Sequence, residues 1–263
     1  MWADNLEQEF RKIGELVDTY NYVAFDTEFP GIVARPTQSF KSSAEFHYAT
    51  MRHNVDMLRV IQLGIFICDK NGNYIPNMCC WQFNFKFNRQ CEVFATDAVD
   101  LLVRSGINFD VLESRGVDWP YFGELLITSG LLLNPNVKWI SFHAGFDFGY
   151  LMKLATGAEM PSSQEKFFSQ LHIFCPVLYD IKYMMKSCEP LRGGLQKVAE
   201  CLDVARIGPQ HQAGSDALLT AAVFFKMCKD YFEDVIDDEK YMGVIFGLGQ
   251  GGNGGGLVKI PQI

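Results

Sequence analysis

The stretch VAFDTEFPG, residues 23–31, sets two carboxylates into a segment otherwise made for burial. Val23, Phe25 and Phe29 give it the β-branched and aromatic content of a strand. Side chains two residues apart on a strand share a face, so Asp26 and Glu28 project together. Inside a sheet covered by helices, two ionised groups each cost several kcal/mol unless a cation or strong donors compensate them. A hard divalent ion is one such compensation; the plain alternative is a strand edge that faces water.

The rest of the chain tells what kind of sheet this strand enters. NLEQEFRKIGELVDTY (5–20) repeats apolar residues at helical spacing and leads into the strand, and SAEFHYATMRHNVDML (43–58) predicts a second helix. LRVIQLGIFICDKNGNY, with an Asn-Gly turn, and CCWQFNFKF predict an antiparallel hairpin. From residue 94 the pattern turns to helices at short spacing, with VKWISFH (137–143) and VLYDI (177–181) as later strands. Early strands followed by helices around late strands imply an α/β fold, a mixed central sheet flanked by helices. No linker divides residues 1–246, which read as one domain; residues 247–263 are glycine-rich and expected to be disordered.

Composition narrows the function classes. A formal charge of −8 argues against a nucleic-acid coat protein, because phosphate affinity comes mainly from Lys and Arg. The eight cysteines form no CxxC pair and follow no charged-then-apolar leader, so a reducing compartment is expected, the cytoplasm first and the nucleus second. The apolar runs fall short of a membrane span.

Two further acids stand where chemistry is plausible. Asp147 falls in the first turn of the helix that follows VKWISFH, and Asp216 opens a strongly apolar helix, with His211 five residues earlier in a loop. Taken singly, each acid is an ordinary helix-dipole or capping residue and the histidine a surface one. In order, however, D-x-E, Asp and H-x4-D form a pattern. FDTEFPG, SFHAGFDFGYL, LRGGLQKVAE and RIGPQHQAGSDALLT resemble the DEDDh exonucleases, and more narrowly the Caf/Pop-type poly(A) deadenylases of the Ccr/Not complex. ARPTQSF, WQFNFKF and IDDEKYMG extend the likeness over residues 5–246.

The resemblance implies a ribonuclease-H-like fold and a 3′-to-5′ exoribonuclease that shortens mRNA poly(A) tails and releases 5′-AMP. It places the four acids at Asp26, Glu28, Asp147 and Asp216 and the general base at His211, with two divalent cations, Mg²⁺ or Mn²⁺, among the acids. Charge supports this, since four converging carboxylates repel one another unless such ions cancel them. An imidazole titrates near neutrality and suits the base role. Phe29 and His143 are candidates for the end-nucleotide pocket, with core packing as the alternative. Lys182, Lys186, Arg192 and Lys197 form a modest basic group, either an RNA contact or a solvated face. The implied partners are single-stranded poly(A) RNA, the Ccr/Not scaffold subunit, the second deadenylase subunit and Btg/Tob-type proteins, with no membrane. Two rival readings stay open: a DEDDh exonuclease of other RNA or DNA ends, and a non-catalytic scaffold subunit.

Overall fold

The computed structural model describes residues 1–76 and 80–250. Five strands, β1 (Tyr22–Glu28), β2 (Gln62–Cys68), β3 (Trp81–Asn84), β4 (Lys138–Ser141) and β5 (Val177–Asp180), form one sheet in the order β3-β2-β1-β4-β5. β1 runs antiparallel to β2, and β2 to β3, whereas β4 and β5 lie parallel to β1. This is the mixed, ribonuclease-H-like sheet that the sequence leads one to expect. The helices are α1 (Leu6–Leu16), α2 (Ser43–Met57), α3 (Thr96–Arg104), α4 (Phe109–Arg115), α5 (Trp119–Thr128), α6 (Gly145–Thr156), α7 (Gln164–Phe174), α8 (Ile181–Met184), α9 (Leu195–Cys201), α10 (Ala213–Tyr231) and α11 (Asp238–Tyr241).

Both faces of the sheet are covered, which explains why β2 is buried at every position. Val23, Phe25, Ile65 and Trp139 pack on one face with α1, α2, α5, α6 and α7. Ala24, Phe66, Ile140 and Tyr179 pack on the other with α9 and α10. Asp26 and Glu28 continue the Ala24 side of β1, so they point toward α10.

Helix α10 lies unusually close to that side. An alanine Cβ at Gly64 of β2 would sit 1.9 Å from Ala213 O and 2.5 Å from Gly214 N. Only glycine admits this approach. The sheet also caps the helix, because Gln62 Oε1 accepts from Ala213 N (3.2 Å) and Gln82 Oε1 from Gly214 N (2.9 Å). Two backbone donors left free at a helix start thereby find side-chain partners on the sheet. The first turn of α10 is thus pinned against β2 and β3, beside the end of β1.

Two expectations change. Among the described residues the Asn71-Gly72 turn joins only a Cys68–Tyr74 bridge, and β3 begins later and is shorter than expected. Cys79, expected in that strand, lies outside the described residues. The packed chain also runs past 246: Leu248 is buried, its carbonyl accepts from Gln164 Nε2 (2.6 Å), and Gly247 O lies 3.1 Å from His47 Nδ1. The remainder of the expected tail, 251–263, lies outside the described residues. Among the described residues no helix is long and apolar enough to cross a membrane.

Candidate active site

The pinned start of α10 carries Asp216 to the acids of β1. Oxygen atoms of Asp26, Glu28 and Asp216 all lie within 4.8 Å of one another. Asp147, in the first turn of α6, joins from the other side. Its Oδ1 accepts from Thr27 N (3.0 Å) and from Thr27 Oγ1, so the residue between the two β1 acids holds the third. Thr27 points away from Asp26 and Glu28, and the strand therefore serves both faces.

Electrostatics record how close these groups are. Burial, followed by the charges of Asp147, Glu28 and Asp216, pushes the Asp26 carboxyl well above its ordinary value. Burial and the charges of Asp216 and Asp147 push Glu28 up to about 8. Burial also lifts Asp147 to about 7, against the downward pull of its Thr27 hydrogen bonds. Burial first, and like charge second, disfavours the ionised forms of these carboxylates. The one ion pair to any of the four acids among the described residues is Arg206 to Asp216, at 2.7 Å. An all-oxygen donor set short of positive charge fits a hard divalent cation and disfavours a structural zinc site.

The three clustered acids open onto a cleft of about 620 Å³, also lined by Thr27, Gly194, Leu195, Lys197, Glu200, Arg206, Gln210 and His211. His211 is exposed and has φ 59°, a left-handed conformation that aims the loop back so that its N–H donates to Asp216 Oδ2 at 2.9 Å. The histidine and the acid it is expected to serve are therefore tied together. Gly194 opens α9 with no atom within 4 Å of where a Cβ would stand, which leaves that wall of the cleft clear.

Phe29 and His143, the candidates for the end-nucleotide pocket, do not line the cleft. Phe29 stacks on Phe146 (centroids 5.1 Å apart, planes 14° apart) and packs against the core. His143 is exposed and meets the Phe246 ring edge-on at 5.1 Å. Of the basic group, Lys197 lines the cleft; Lys182 donates to Gly193 O and lies over Phe142, and Lys186 stands over Tyr183 and Phe246.

Three supporting residues escaped the sequence reading: Thr27, Arg206 and Asp180. Asp180 is fully buried at the end of β5 and accepts from the backbone N–H groups of His143, Ala144, Lys182 and Phe246. It fixes the turn that starts α6 and so the placement of Asp147. An acid ending an apolar strand was the available signal, the same anomaly that marked Asp26.

The sequence matches the CAF1 family ribonuclease profile over residues 1–124 and 126–224. The chain belongs to that family. This CAF1-family chain is 48% identical over 256 residues to a probable CCR4-associated factor 1 homolog of Arabidopsis thaliana, covering 95% of the chain and 92% of the relative. It is 47% identical over 253 residues to the poly(A) ribonuclease pop2 of Schizosaccharomyces pombe, covering 96% and 75%. In structure it resembles S. pombe Pop2p in its Mg²⁺- and Mn²⁺-bound form, with TM-score 0.92, 48% identity, and 94% and 98% of the two chains covered. It also resembles yeast CAF1 co-crystallised with the NOT1 MIF4G domain, with TM-score 0.80, 35% identity, and 94% and 95% covered.

Proposed function

We propose that this CAF1-family ribonuclease shortens poly(A) tails from the 3′ end by hydrolysis with two divalent ions, releasing 5′-AMP. The observation that carries the reading is the meeting of Asp26, Glu28 and Asp216 within 4.8 Å, with Asp147 alongside, in a chain 47% identical to a poly(A) ribonuclease. Mg²⁺ or Mn²⁺, both carried by the similar Pop2p structure, would activate water and stabilise the developing charge on the phosphate and leaving oxygen.

The protein's own groups do the rest. Asp26, Glu28 and Asp216 would hold one ion, and Asp26 with Asp147 the other. Thr27 fixes Asp147, and the His211 N–H fixes Asp216, so the oxygens are aimed before a ligand arrives. The His211 ring, at the cleft edge, takes the proton of the attacking water at a ring nitrogen. Leu195 and Lys197 offer the RNA end an apolar surface and a cation, enough for a short single strand on an acidic protein. Docking on a NOT1-type MIF4G scaffold follows the yeast CAF1 complex, and we extend the proposal to the second deadenylase, to Btg/Tob-type proteins and to action in the cytoplasm and nucleus.

A 5′-labelled oligo(A), alone or capped by non-A residues, is incubated with Mg²⁺, Mn²⁺ or chelator. The expected result is a ladder shortened from the 3′ side only when metal is present, slowed by non-A ends, and abolished in Asp26→Ala. Equal shortening of mixed-sequence ends would favour a broader exonuclease; no shortening with either metal would favour a scaffold subunit.

A further inference from the structure

Arg206 is a half-buried cation that lines the cleft beside the acid cluster. Its guanidinium reaches Asp216 Oδ1 at 2.7 Å and Ser215 Oγ at 3.2 Å through one nitrogen, and Gln196 Oε1 at 2.6 Å through Nε. Gln196 is itself held by Glu200, to which its amide donates at 2.9 Å. The side chains of Arg206 and Asp216 are 12% and 11% exposed, so the pair is largely withdrawn from water. Ser215 and Gln196 are neutral acceptors, and Asp216 is the carboxylate that the guanidinium faces directly. An arginine stays charged throughout the accessible pH range, so this positive charge is permanent.

We propose that Arg206 is the resident counter-ion of the acid cluster: it neutralises Asp216 when no divalent ion is present, and it opposes the ion once one arrives. The inference rests on the proposed metal-dependent reading and adds a second function to the pair. A buried carboxylate stripped of its partner is strongly destabilising, so Arg206 keeps the metal-free protein folded. The same charge, sharing one carboxylate with a doubly charged ion, lowers ion affinity. The two effects trade against each other, and ion binding is held below what the bare acids would give. A purely structural ion pair would instead stabilise the metal-free and metal-loaded protein equally.

The test compares the parent chain with Arg206→Met, Arg206→Gln and Arg206→Lys, by calorimetric titration with Mn²⁺ and by thermal melting in chelator and in saturating Mn²⁺. Repulsion between a guanidinium and a doubly charged ion held by the same carboxylate is on the order of one tenfold step in affinity even at the dielectric constant of water. Arg206→Met and Arg206→Gln are therefore expected to melt below the parent in chelator, to bind Mn²⁺ about tenfold more tightly, and to gain more melting temperature from Mn²⁺ than the parent does. Arg206→Lys keeps the charge and is expected to stay near the parent in both measurements. A methionine variant folded only in Mn²⁺ is the extreme form of the expected result, and the glutamine variant gives the affinity if the methionine variant does not fold at all. Unchanged or weaker Mn²⁺ binding in the neutral variants overturns the counter-ion, as does a lysine variant that matches them. Mn²⁺ binding by the parent with no response to these substitutions sinks this inference alone, whereas a parent that binds no Mn²⁺ sinks the metal reading with it.

Discussion

Gly64→Ala is a one-carbon perturbation placed beneath the active site and touching none of its acids. The added Cβ would stand 1.9 Å from Ala213 O. Close C···O contacts in proteins settle near ~3.3 Å, so the start of α10 must retreat by roughly 1.4 Å. That movement stretches the Gln62 and Gln82 bonds to Ala213 N and Gly214 N, now 3.2 and 2.9 Å, out of hydrogen-bonding range. Overpacking costs about 1–3 kcal/mol and each of the two lost bonds about 1, which gives roughly 3–5 kcal/mol in total and a melting temperature lower by roughly 6–20 °C. Because Asp216 rides on the same turn, its oxygens move away from Asp26 and Glu28, and a misplacement of about 1 Å in a catalytic group costs on the order of 10²-fold in rate. Initial rates of 3′ shortening of labelled oligo(A), taken well below the melting point with circular dichroism as the folding control, measure the loss. A variant with the parental rate and melting temperature would refute the claim that the Gly64 contact sets the position of Asp216.

Other outcomes follow from the same geometry. Asp180→Ala leaves four backbone N–H groups without their partner and should cost more than about 3 kcal/mol, read by denaturant melting, with Asp180→Asn recovering part of it. His211→Asn should slow shortening by about 10²–10⁴-fold while Mn²⁺ binding, followed calorimetrically, stays near the parent, and higher pH should restore part of the rate. In chelator, Glu28 and Asp147 have folded values of about 8 and about 7, above their unfolded ones, so the stability they contribute is present at low pH and lost as pH rises through that range. An ion that binds the anionic carboxylates removes the loss, so the melting-temperature gap between Mn²⁺-loaded and chelated protein should widen from pH 6 to pH 8.5. A gap that stays constant across this range would contradict the assigned charge crowding.

How much of this was visible in the sequence depends on whether the signal is local. β1 and α2 could be drawn almost to the residue, because period-2 and period-3.6 patterns are written in neighbouring side chains. The four acids stood out because a carboxylate in an apolar strand or at a helix start is anomalous where it stands. Gly64 carried no such mark. It looks like any glycine until α10, far along the chain, is laid across it. Arg206 sat inside the stretch RIGPQHQAGSD, yet a pattern cannot say that an arginine folds back on the acid ten residues later. The basic residues of 182–197 stood out for their charge, but two of them, Lys182 and Lys186, spend it on aromatic rings and a backbone carbonyl. Phe29 is a similar case: an aromatic next to the acids reads equally as a base platform or as core, and its ring is stacked on Phe146.

The last acid to be made is the one carried by α10, after every strand of the sheet has been synthesised. A growing chain on the ribosome therefore holds three acids and no complete site until that helix emerges, and a chain cut or terminated between α9 and α10 retains the sheet acids without their closing member. The order in which the fold is written makes the α10 acid the last part of the site to be put in place.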